Sequence, residues 1–87
     1  MTRAEVEANH KRAVLVDGFD DAILYVKDGS VHYDVEKCIQ TLVDVEGMER
    51  EDALDWMYFN VIGTYYSGGV QPTWVEEEKL FVEKVTT

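Results

Sequence analysis

Apolar residues change their spacing along this chain, and the changes mark its elements. Between Ala13 and Tyr33 they come in short β-rich runs, broken by Asp17-Gly18 and Asp28-Gly29. An Asp-Gly pair tolerates the positive φ angles of a two-residue hairpin, so the pattern predicts a hairpin pairing Ala22–Lys27 with Ser30–Tyr33. Val14–Val16 fits a further short strand or an extension of a first helix equally well.

Beyond Asp34 the period becomes helical. Val35, Cys38, Ile39, Leu42 and Val43 stand at offsets 0, 3, 4, 7 and 8, with Asp34 as N-cap and Glu46-Gly47 as the stop. A further helix starts near Glu49, where the carboxylates of its first turn suit the positive end of the helix dipole. Its core stripe is Leu54, Met57, Tyr58, Val61, Ile62 and Tyr65. Trp56 and Phe59 fall instead on the side of Asp52, Asp55 and Gly63, where solvent is expected, so either an interface or the terminal strands folding over them should cover them.

The ends are weaker in pattern. Thr2 and Glu5 form a capping box for a short first helix whose apolar face, Val6 with three alanines, predicts light docking or fraying. Ser67-Gly68-Gly69 stops the long helix, and Pro72 suits the start of a strand over Thr73–Val75. Lys79–Val85 reads as one more strand or a loosely held tail, the strand being preferred. Together these elements predict one α+β domain over residues 1–87: a small antiparallel sheet, made of the hairpin and a C-terminal strand, packed by two central helices. A short N-terminal helix precedes it, and residues 1–12 and 77–87 are expected to be peripheral.

Charge adds a second theme. Eighteen acidic residues against eight basic ones give a net charge of −10, which repels phosphate backbones and anionic lipid surfaces, so neither nucleic acid nor membrane is an expected direct partner. The charge is focused. Asp44 to Asp55 holds six carboxylates against Arg50 alone, about half the net charge. No apolar run reaches the roughly 18 residues of a membrane span or resembles a signal peptide, and the single Cys38 makes no internal disulfide. A cytoplasmic location is therefore expected.

Few residues invite chemistry. Cys38 and His32 are the one pair to weigh for nucleophilic catalysis, but Cys38 lies inside an apolar stripe, where a thiol behaves as a small hydrophobe. One cysteine with His10 and His32 far apart lacks zinc spacing, and Asp17-Gly-Phe-Asp20-Asp21 lacks the alternating ligands of a calcium loop. No phosphate-cradling glycine loop is present. The expectation is a protein without catalytic, cofactor or metal residues, and not an enzyme.

Two motifs carry a resemblance. Tyr33-Asp34-Val35-Glu36-Lys37-Cys38-Ile39 and Phe59-Asn60-Val61-Ile62-Gly63-Thr64-Tyr65, with Gly47-Met48 and Glu51-Asp52-Ala53 between them, fit the patterns Y-D-x-x-K-C-I and F-N-x-x-G-x-Y. The chain thereby resembles a family of small proteins encoded by bacteriophages and prophages. The match spans about Phe19 to Thr73, while Gln71-Pro72-Thr73-Trp74 departs from the Thr-Pro-containing ending of that family. The resemblance implies a viral or prophage origin, hence the cytoplasm of an infected or lysogenic bacterium, and implies no activity.

These observations predict an accessory protein that binds a host protein, possible targets including a defence system, through Asp44, Glu46, Glu51, Asp52, Asp55, Trp56 and Phe59. Asp34, Cys38, Asn60 and Gly63 are expected to be structural. Mimicry of DNA is a narrower form of the same idea. A homodimer through Trp56 and Phe59, with Arg50 offsetting the facing carboxylates, would also cover the aromatics. The competing classes are an oligomer that sequesters a nucleotide signal, for which few cations are available, and a structural homo-oligomeric phage component.

Overall fold

The computed structural model describes residues 1–76. Its class is the α+β one the periodicities predict, with helices packed on a small three-stranded sheet. Helix α1 (Arg3–Asn9) is closed by the capping box: Thr2 Oγ1 accepts from the Glu5 N–H at 3.2 Å, and Glu5 Oε1 accepts from the Thr2 N–H at 3.0 Å. This helix is docked rather than frayed. Val6 is fully buried, and Arg3 reaches across to Asp20, 3.0 Å from both carboxylate oxygens, and to Asp17 at 2.7 Å.

Strand β1 (Ile23–Lys27) and strand β2 (Ser30–Asp34) form the expected hairpin. Asp28 at φ 53° and Gly29 at φ 79° place both central residues in the left-handed region, the requirement of the type I′ turn that twists with its strands. The register slips between Ile23 and Tyr25, leaving Leu24 as a bulge. Val14–Val16 joins neither a strand nor a helix. A single bridge between Ala13 and Val70 holds this stretch beside the later loop.

Helix α2 (Val35–Glu46) follows β2 directly, because Asp34 ends the strand and caps the helix by accepting from the Lys37 N–H at 3.2 Å. Val35, Cys38, Ile39 and Leu42 are buried, as their spacing requires, and Gly47 at φ 72° supplies the left-handed stop. Helix α3 (Arg50–Trp56) then runs without a break into a π-helical segment, Met57–Ile62.

That segment changes which residues face inward. A π-helix bonds i to i+5, so each residue turns the chain through less than the α-helical 100°. Met57 and Val61 stay buried and Leu54 and Ile62 are half-buried, but Tyr58 and Tyr65 leave the expected core stripe. Tyr58 is exposed and donates to the Glu76 carboxylate. Tyr65 lies past the helix end and is 77% exposed.

Strand β3 (Thr73–Val75) completes the sheet in the order β1-β2-β3, starting just after Pro72. It runs parallel to β2, which corrects the expected antiparallel sheet: the sheet is mixed. The physical reason lies in the connection. Parallel neighbours need a crossover of a dozen or more residues, and α2, α3 and the π-helical segment supply one. Ser30 Oγ fixes the join, bonding the Gln71 carbonyl at 2.6 Å and Thr73 Oγ1 at 2.8 Å. The strand expected over Lys79–Val85 lies outside the described residues.

One core unites these layers. Tyr33 stands at its centre, fully buried and stacked on Trp74 with ring centroids 5.1 Å apart.

Candidate functional site

The second turn of α3 and the π-helical segment put two large aromatics on the surface. Trp56 is 45% exposed and Phe59 is 78% exposed. Three residues apart on a helical path, they share one side, and with Met48, Asp52, Asp55 and Asn60 they line a shallow groove of about 370 Å³.

Each wall has a local origin. Met48 occupies the turn after Gly47 and is half-buried, Asp52 and Asp55 belong to α3, and Asn60 stands four residues beyond Trp56. Among the described residues the Asn60 side-chain amide has no hydrogen-bond partner, and the Asn60 main-chain carbonyl accepts from Thr64 Oγ1 at 2.7 Å. Asn60, expected from the sequence to be structural, lines the groove and carries both a donor and an acceptor on its side chain.

The acidic residues named from the sequence separate into two sets. Asp52 and Asp55 line the groove, whereas Asp44, Glu46 and Glu51 are exposed outside its walls. Asp44 accepts from Gln40 Nε2 at 3.0 Å on its own helix. Arg50 forks onto Glu36, with contacts of 2.7 and 2.6 Å. The guanidinium hydrogen bonds hold the Glu36 carboxyl below the usual carboxylate range.

Other candidate chemistry is dispersed by the fold. Cys38 is fully buried, and burial pushes its thiol up to about 12, with the Asp34 charge adding to the shift. His32 alternates with buried Val31 and Tyr33, so it occupies the opposite face of the sheet, stacked on Tyr25 at 4.6 Å. The two residues weighed as a catalytic pair are therefore on opposite sides of β2. Asp17 and Asp20, weighed as cation ligands, are both engaged by Arg3. Asp20 also lines a second depression of about 580 Å³ beside α1, with Arg3, Glu7 and Asp21 among others.

Gly63 ends the π-helical segment. The Thr64 N–H turns back to the Val61 carbonyl at 3.3 Å, and a Cβ on Gly63 would stand 3.2 Å from the Tyr58 carbonyl oxygen. Of the groove residues, Met48 is the one that helical spacing leaves out. Its position just before the α3 cap, where an apolar residue often staples a helix start, is the signal that marks it.

No protein-family profile, curated protein or solved structure matches this chain. Among the described residues no helix is long and apolar enough to cross a membrane.

Proposed function

We propose that this chain is a non-enzymatic binding protein of phage or prophage origin that docks on a host protein through the Trp56 and Phe59 groove. The exposure of these two aromatics on one groove, beside two carboxylates, is the observation that carries this reading. Large aromatics ringed by polar groups are the usual anchors of specific interfaces.

Magnitudes say what such a surface needs. A large aromatic presents roughly 200 Å², and at about 25 cal/mol per Å² covering the exposed parts of both rings stabilises a complex by about 6 kcal/mol. Association itself costs at least about 4 kcal/mol. The rings alone therefore give weak attachment, and the polar rim must add to it.

The test is capture from a bacterial lysate with the tagged chain, using wild type, Trp56→Ala and Phe59→Ala. The expected result is one host protein retained by wild type and lost with each variant while circular dichroism is unchanged. Equal retention by all three, or none by any, would contradict the proposal. Mimicry of DNA is the narrower form: a nucleic-acid-binding protein released by raised salt supports it, and salt-independent capture counts against it.

A further inference from the structure

The groove's own lining constrains what fills it. Resting on the protein-binding reading above, we infer that its occupant is a cationic protein segment, which inserts an aliphatic or aromatic side chain between Trp56 and Phe59 and sets Lys or Arg side chains against Asp52 and Asp55.

Charge complementarity carries the choice. The lining holds two carboxylates and no basic residue. Exposed Glu49 at the N-cap and Glu51 in the first turn of α3 extend the negative field, and Arg50, the cation of this helix, forks onto Glu36. A segment without cations would leave Asp52 and Asp55 facing it with no counter-charge as water is withdrawn, which is costly.

A second copy of this chain is a poorer occupant. A two-fold contact through the groove sets Asp52 and Asp55 against the same residues of the other copy, between molecules of net charge −10. Arg50, the cation of this stretch, also answers Glu36 on its own chain. An apolar anchor distinguishes the occupant from a purely ionic partner, because Met48, Trp56 and Phe59 offer the groove its apolar surface. Asn60, on the same lining, carries a donor and an acceptor that suit the main chain of an inserted segment.

The experiment titrates the isotope-labelled full chain with two synthetic amphipathic peptides. They share their Leu and Trp positions, and their polar positions are all Lys in one and all Glu in the other. The Lys peptide should shift the Trp56 indole and Asn60 amide resonances while the Trp74 indole stays in place. Its affinity should fall about tenfold between about 0.05 and 0.3 M salt. Asp52→Asn with Asp55→Asn should weaken it about tenfold, and so should Phe59→Ala, whereas Asp21→Asn, in the depression beside α1 and outside the groove lining, should leave it unchanged.

Groove signals that move equally with the Glu peptide, that move with protein concentration alone, or that move with neither peptide would overturn the cationic partner. The first result leaves the host-binding reading standing, since a different segment then fills the groove, whereas the second gives the groove to another copy of this chain. Failure of that reading shows separately, as a lysate capture indifferent to Trp56 and Phe59.

Discussion

The hydroxyl of Tyr33 accepts a hydrogen bond from the Val16 backbone N–H at 2.8 Å, inside the core. Through it the central strand holds the stretch that follows α1, where no regular ladder pairs that N–H. Tyr33→Phe keeps the ring on Trp74 but orphans a buried donor, and the cost of such an orphan is about 1 to 3 kcal/mol. Urea denaturation should show a lower midpoint with an unchanged slope.

Gly69 is fixed by a close approach. A Cβ there would overlap the Arg12 carbonyl oxygen, which itself accepts from the Val70 N–H at 2.7 Å. Gly69→Ala must separate the two backbones and should cost about 2 to 3 kcal/mol. Gly63→Ala meets only a 3.2 Å contact and should be the milder change when both are compared by thermal melting.

The buried thiol makes stability depend on alkaline pH. Cys38 titrates near 9 when unfolded and at about 12 when folded. Because the folded value is raised, the unfolded state loses its proton first. The stability is thus complete below about 9 and is lost as pH rises toward 12. Tyr33, likewise raised, mainly by burial, acts in the same direction. Denaturation across this range should slope downward, and less steeply in Cys38→Ala. Iodoacetamide should label native protein slowly at neutral pH, since the thiolate is its nucleophilic form.

Neighbouring residues of the π-helical segment should respond oppositely to truncation. Met57 is fully buried, and Met57→Ala should cost about 2 to 5 kcal/mol. Phe59 is largely exposed, and Phe59→Ala should change stability by no more than about 0.5 kcal/mol. Chemical denaturation of the two variants checks this contrast.

Local rules made much of this molecule readable. Asp28-Gly29 specifies its hairpin turn within two residues, and α2 carries its own cap, stripe and stop between Asp34 and Gly47. The groove was partly readable for the same reason, because Asp52, Asp55, Trp56 and Phe59 lie three or four residues apart on one helical path. What escaped depends on longer paths. The direction of β3 follows from how α2 and α3 carry the chain back to β2, and the docking of α1 rests on Arg3 reaching residues 14 and 17 positions away. The π-helical segment hid for another reason: α and π spacing differ by one residue per turn, so the stripe through Tyr58 and Tyr65 looked complete. Asp44, Glu46 and Glu51 share the charge of the segment but not the walls of the groove, which only the folded path of the chain decides.

The most direct test replaces single residues with photoreactive benzoylphenylalanine in bacteria that express the chain. At position 59, on the groove, irradiation should give a discrete adduct with a host protein. At position 24, where exposed Leu24 lies in β1, it should give none. Adducts of equal yield at both positions, or none at position 59, would contradict the assignment of the Trp56 and Phe59 groove as the binding surface.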